Sequence, residues 1–259
     1  STARSRSGNP SRSATITGSM PTPLCWFAGW VKGRDHDPMG PGRHRWGTLA
    51  FRSLGTRQTK RVARNRGRSD LVYPPHRPAD HPRLGTLSEH PAAIFDEIKR
   101  GDILLHHPYQ SFETSVLRFL NSAAADPDVL AIKLTVYRTS DDSPLLRALA
   151  DAARHGKQVA VLVEITARFD EAPNIAWANF LEKEGVHVSY GVQRLKTHVK
   201  LALVVREESE GVCQYAHVGT GNYHSGTAKI YEDLGLLTCD DSICSDVASV
   251  FNSLTGGIP

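Results

Sequence analysis

The spacing of apolar and polar positions along this chain changes character near residue 70. Residues 129–137 form a run rich in β-branched and aromatic side chains that reads as a strand. Residues 145–155 place leucine and alanine at helical spacing, behind Ser143 and Pro144, a pair suited to an N-cap and a first-turn proline, and Gly156 stops the helix. A second strand at 158–165, a second helix at 172–184 stopped by Gly185, and a third strand at 186–190 continue the alternation. Strands alternating with helices specify βαβ units and a parallel sheet. Upstream, 91–100 reads as a short amphipathic helix ended by Gly101, 102–105 as a strand, and 112–124 as a helix capped by Ser111 with Glu113 in its first turn. Residues 71–87 are rich in proline and read as an extended linker. Downstream, 199–205 is almost wholly apolar, 206–211 is polar, and 212–218 resumes a strand pattern. That is a hairpin with a four- to six-residue loop held by residues 207–211, and it makes the sheet mixed. A helix over 242–254 closes the pattern.

This order of elements gathers chemistry at one edge. Arg138 and Arg168 each lie just past the C-terminal end of a parallel strand, the edge where open α/β sheets bind ligands. The third strand ends at Gly191, and the short connection to His198 implies an antiparallel return that starts at the same edge. His198 and Lys200 are two residues apart, so on a strand they share a face: a nucleophile or base beside a fixed positive charge. If the hairpin centres near Ser209, equal steps along each arm set Thr220 opposite His198. Gly219 and Gly221 would let the backbone approach a ligand, and Asn222 would offer its amide to a phosphate oxygen. An HxK pattern alone is a weak signal, and Gly-Thr-Gly-Asn alone is as often a turn; the two at hairpin spacing are more specific. Together with two guanidinium forks, which match phosphate oxygens, they point to an anion site and phosphoryl chemistry. His106 and His107 are adjacent on a strand and face opposite ways, a poor chelating pair. His217 reads as a histidine of the core or of the layer behind the site, and Asp170 and Glu171 either orient Arg168 or, the favoured reading, cap the following helix.

Composition then divides the chain. Residues 1–69 carry 14 Lys and Arg against 2 Asp and Glu, whereas residues 70–259 carry 17 against 25. The net charge of +4 therefore argues for nucleic-acid contact only through the first segment. That segment is rich in Arg, Ser, Gly and Pro, with Trp26, Trp30 and Trp46 at no regular period, and it cannot bury enough apolar surface to offset its ordering entropy. It is expected to be disordered: a basic tail, a transit-like peptide or, the favoured reading, sequence not native to the domain. Cys25, Cys213, Cys239 and Cys244 show no CxxC pairing, which favours reduced structural thiols. No apolar run is long enough to span a bilayer.

Several strings occur together in one order: 102–109, 137–139, 167–171, 195–200, 217–223 and 231–234. With them, residues 70–256 resemble the bacterial polyphosphate kinases of the first type, a family similar in fold to the phospholipase D superfamily. The resemblance implies an α/β fold, a phospholipase D-like mixed β-sheet with helices on both faces, preceded by the disordered basic segment. It divides the chain into a basic segment (1–69), a linker remnant of a preceding domain (70–95) and the first phospholipase D-like catalytic domain (96–257). It implies an ATP–polyphosphate phosphotransferase in which His198 takes the phosphoryl group, with Lys200 beside it. Tyr231 would contact ATP, and Arg138 and Arg168 match positions associated with Mg²⁺. A guanidinium has no lone pair for a metal, so these arginines are expected to hold phosphates that carry the ion. ATP and polyphosphate are the implied partners, homo-oligomerisation is implied for the full-length protein, and the cytoplasm is the implied compartment, with or without association with a membrane complex. The chain departs from the family in lacking its second HxK half, so in isolation it is expected to be inactive. Where the wider superfamily has an Asp after the HxK, Val205 stands here. The alternatives are a phospholipase D-like phosphodiesterase and a non-catalytic polyanion-binding fragment.

Overall fold

Near-continuous apolar runs along two nine-residue arms let two long strands sit at the centre of a sheet with both faces covered. The computed structural model describes residues 76–137, 143–165, 171–191 and 196–256. Its elements run α1 (Ala93–Lys99), β1 (Ile103–His107), a π-helical turn (Glu113–Leu117) that passes into α2 (Arg118–Ala125), β2 (Val129–Val136), α3 (Pro144–Arg154), β3 (Gln158–Val163), α4 (Glu171–Lys183), β4 (His187–Tyr190), β5 (Lys200–Glu208), β6 (Gly211–Gly219), β7 (Asp233–Thr238) and α5 (Asp241–Thr255). The seven strands are ordered β1-β7-β6-β5-β2-β3-β4. β2, β3 and β4 are parallel, and every other pairing is antiparallel.

The two faces are filled differently. One face carries the main core, in which Phe95, Phe119, Ile132, Leu134, Leu149, Val161, Leu181, Ala202, Val204 and Tyr215 are all buried. The other face presents Val199, Leu201, Leu203, Ala216 and Val218 to Cys244, Val247 and Phe251 of α5. Helices thus lie on both faces of a mixed sheet. The caps follow from side-chain oxygens that satisfy orphan amides. Ser143 accepts from Leu146 N ahead of Pro144, Asp240 accepts from Ile243 N at the start of α5, and Ser111 Oγ accepts from Thr114 N.

Two expectations, the loop length and the register of the hairpin, are corrected. The β5–β6 hairpin is tighter than its polar stretch suggests: Glu208 pairs with Gly211, leaving only Ser209 and Glu210 as loop. Gly211 has φ +123, which a side chain would strain, so glycine here permits the short turn. The pairing consequently runs one residue out of the expected register, with Lys200 opposite Gly219. β5 does return antiparallel from the edge where β4 ends, but it pairs with β2, not β4. A further strand, β7, was not expected from the sequence; it joins β6 to β1. Residues 1–75, which include the basic segment, lie outside the described residues.

At the hairpin end, charge is buried in a closed network. Arg206 binds Asp126 at 3.0 Å, Asp128 at 2.9 Å and Glu208 at 2.8 Å, and its guanidinium stands over the Phe95 ring. Glu208 also accepts from Lys99 at 3.0 Å and from Tyr215 OH at 2.6 Å. Burial pushes the Glu208 carboxyl up, but the hydrogen bonds from Tyr215, Arg206 and Lys99 outweigh it and bring it down to about 2. The carboxylate therefore stabilises the fold above the ordinary carboxylate range, and that contribution is lost as pH falls towards 2. Glu208→Gln is expected to cost about 1–3 kcal/mol at pH 7. Urea midpoints of the two chains should converge as pH is lowered from 5 towards 2; a gap that stays constant would assign the loss to packing instead.

Candidate functional site

Where β2 and β3 end, β5 begins, so one edge of the sheet collects the ends of three central strands. His198 stands half-buried two residues before the ladder proper, and Lys200 is the first residue of β5 and is buried. Lys200 Nζ lies 3.0 Å from His198 Nε2 and 2.6 Å from the His198 carbonyl oxygen. An ammonium has three donors and no acceptor, so Nε2 accepts and the neutral ring carries its proton on Nδ1. Tyr137, just past β2, packs edge-on against the His198 ring at 4.7 Å, and Lys200 Nζ sits 5.1 Å from the Tyr137 ring centroid. A lone pair, a carbonyl and a π face thus all meet the ammonium at this corner.

Several side chains with no obvious signal in the sequence fix this corner. Glu164, at the end of β3, is 1 % exposed, and its Oε2 accepts from the amide of Thr197 at 2.7 Å. A Cβ on Gly191 would stand 2.9 Å from that oxygen, so glycine there admits the carboxylate. Asn174 of α4 is equally buried, and its Nδ2 donates to the carbonyls of Tyr137 (3.0 Å) and Glu164 (2.9 Å), tying the ends of β2 and β3 together. Thr135 Oγ1 donates to the carbonyl of Val199 (2.8 Å) and accepts from Leu201 N (3.0 Å). Only Glu164 left a hint: an acid closing an otherwise apolar strand.

The expected residues divide into three sets. His198 and Lys200 come together as their spacing requires. The hairpin register sets Gly219, not Thr220, as the partner next to this corner, opposite Lys200, and Thr220 binds Asp233 Oδ1 at 2.8 Å and accepts from Leu234 N. Gly219 and Gly221 leave room for neighbouring side chains. A Cβ on Gly219 would stand 2.8 Å from the His217 ring, and one on Gly221 would stand 2.8 Å from Asp233. Asn222 lines a small cavity of about 10 Å³ with His107, His217 and Asp233, and its Oδ1 and His107 Nε2 have no hydrogen-bond partner among the described residues. Tyr231 is partly exposed, at 43 %. Arg138 and Arg168 lie outside the described residues, as does Asp170, and so does the side chain of Glu171. His106 and His107 do face opposite ways, exposed and buried respectively. Among the described residues no group of three His, Cys, Asp or Glu side chains is placed to hold a metal ion, and no helix is long and apolar enough to cross a membrane.

The comparisons with known proteins settle the family. Residues 93–258 match the polyphosphate kinase C-terminal domain 1. The chain belongs to the polyphosphate kinase family. It is 61 % identical over 179 residues to the polyphosphate kinase of Mycobacterium tuberculosis and 60 % identical to that of Mycobacterium marinum, in each case over 69 % of this chain and 24 % of the relative. The crystal structure of polyphosphate kinase from Porphyromonas gingivalis superposes with a TM-score of 0.62 at 34 % identity, covering 73 % of this chain and 31 % of that one. The chain thus spans about a quarter of the length of the curated relatives it matches.

His217, as expected, is a core residue. It is buried, and its Nδ1 lies 2.8 Å from Tyr223 OH. Burial, with a smaller effect of His107, pulls its pKa from 6.5 down to about 3. The fold therefore gains from a neutral His217 above about pH 6.5 and loses that gain as pH falls towards 3. Nitrogen-detected NMR of the imidazoles should show His217 still neutral at pH 5, when exposed histidines have titrated. A His217 signal titrating near 6.5 would show that water reaches the ring.

Proposed function

We propose that this chain carries the phosphoryl-accepting half of an ATP–polyphosphate phosphotransferase. The observation that supports it most is the 3.0 Å contact between Lys200 Nζ and His198 Nε2 at the edge where three strand ends meet. Nε2 presents a lone pair while the proton sits on Nδ1. In the proposed step that lone pair attacks the γ-phosphorus of ATP in line, the bond from phosphorus to the β,γ-bridging oxygen breaks, and ADP leaves with the electron pair. Lys200 transfers its donors from Nε2 to the equatorial oxygens as the nitrogen becomes bonded to phosphorus. The terminal oxygen of a polyphosphate chain then attacks the phosphohistidine, and His198 is released with its lone pair restored. The reverse sequence makes ATP from polyphosphate.

Arg138 and Arg168 would add bidentate contacts to phosphate oxygens, and Tyr231 would meet the nucleotide, as the family resemblance suggests. Mg²⁺, which the family implies, finds no carboxylate cluster among the described residues. Glu164 is committed to Thr197 and Asp233 to Thr220. A guanidinium has no lone pair for a metal, so an ion would be carried by the phosphates that the arginines hold, and no step here is assigned to it.

Because the chain spans only a quarter of its relatives, the test places it in a whole enzyme. In a chimera, residues 93–256 replace the matching stretch of the Mycobacterium tuberculosis relative. Incubation with γ-labelled ATP should give acid-labile, base-stable label on the polypeptide. His198→Ala should abolish it, and Lys200→Ala should slow labelling by about 100- to 1000-fold. Full labelling of the His198→Ala chimera would remove this histidine as the acceptor. The 259-residue chain by itself should lengthen polyphosphate no faster than its own His198→Ala variant.

A further inference from the structure

Most strand residues are positioned by the backbone ladder on either side. The residues that flank His198 are positioned differently. β2 stays paired with β3 as far as Val136↔Val163, whereas its pairing with β5 ends at Leu134↔Ala202. Beyond that pair the ladder between β2 and β5 is replaced by one hydroxyl. Thr135 Oγ1, on a side chain only 2 % exposed, donates to Val199 O and accepts from Leu201 N, the two groups on either side of Lys200. On the other side of His198, the Thr197 amide is held by Glu164 Oε2. The two residues next to His198 in the chain are therefore each anchored by a buried side chain, one from the end of β2 and one from the end of β3.

We infer that Thr135 and Glu164 are positioning residues for phosphoryl transfer: they splay β5 away from β2 and hold the backbone on both sides of His198, so that its ring and the Lys200 ammonium meet at the sheet edge. This inference rests on the reading of His198 as the phosphoryl acceptor. A side-chain hydroxyl that bridges two strands widens their separation, which a direct backbone bond would close. Closing it would draw Val199 and Leu201 towards β2 and turn Lys200 away from Nε2. The arrangement is demanding because both anchors are buried, so neither freed backbone group could turn to water instead. Asn174, which ties Tyr137 to Glu164, keeps the two anchoring strand ends in step.

The test uses the same chimera. Thr135→Val keeps the shape of the side chain and removes both hydrogen bonds. It should lower kcat by roughly 10- to 100-fold, the scale expected when a reacting group shifts by about an ångström, while KM for ATP changes less than about threefold on the same argument. Thr135→Ser, which restores the hydroxyl, should recover most of kcat. If the valine variant does not fold, Glu164→Ala paired with Glu164→Gln carries the same comparison, since the amide oxygen can still accept from Thr197 N. An unchanged kcat in Thr135→Val, or a serine variant as impaired as the valine one, overturns the inference. His198→Ala serves as the control that separates the two levels: if it stays active the reading of the site is wrong, and if it is inactive while Thr135→Val is normal only the positioning role fails.

Discussion

The 3.0 Å approach of Lys200 to His198 Nε2 stands at the sheet edge because β5 runs antiparallel to β2 with its first residue at the C-terminal end of the parallel strands. A strand places residues two apart on one face, so the sequence spacing supplies half of the geometry. The other half is topological. Had β5 added next to β4, as the short connection would most simply allow, Tyr137 could not stack edge-on with His198, nor could Thr135 reach Val199. Inserting β5 between β2 and β6 brings one histidine, one lysine and the ends of two other strands into a single corner.

The two ends of the central strands are held by contrasting chemistry. At the hairpin end, β5 and β6 stay paired as far as Glu208 and Gly211, and a buried guanidinium shares three carboxylates, with Lys99 and Tyr215 completing the network. Buried charges of this kind are costly to break even where they add little net stability, so they fix geometry more than they deepen the well. At the site end the ladder stops early, and single side chains take over: a hydroxyl, a carboxylate and an amide. The charged network keeps register for the end that carries His198 and Lys200.

Much of the fold was legible in the sequence because it was periodic. The βαβα alternation, the Ser143-Pro144 cap, the Ser111 cap and the closing helix all rest on local patterns, and they are present. What was not legible depended on partners distant in the chain. β7 is a short strand with a glycine inside it, Gly235, and the reason for that glycine is the His217 ring, which a Cβ there would meet at 2.8 Å. The hairpin register slipped by one because a polar stretch does not reveal where pairing stops; Glu208 is polar yet paired and largely buried by Lys99, Arg206 and Tyr215. That single residue sets Gly219, not Thr220, opposite Lys200. At the site, His198 and Lys200 were readable from their spacing alone. Thr135, Glu164 and Asn174 were not, because a buried hydroxyl, acid or amide in a sequence says nothing about which backbone group it will meet.

The position of the phosphoryl group on the imidazole tests the central geometry most directly. Lys200 donates to Nε2 and leaves the ring proton on Nδ1, so Nε2 is the nitrogen that presents a lone pair. Phosphorus NMR of the denatured, ATP-treated chimera under alkaline conditions distinguishes the two isomers of phosphohistidine, and peptide mass spectrometry places the residue. The expected result is phosphate on Nε2 of His198. Phosphate on Nδ1, or on a different residue, would contradict the account.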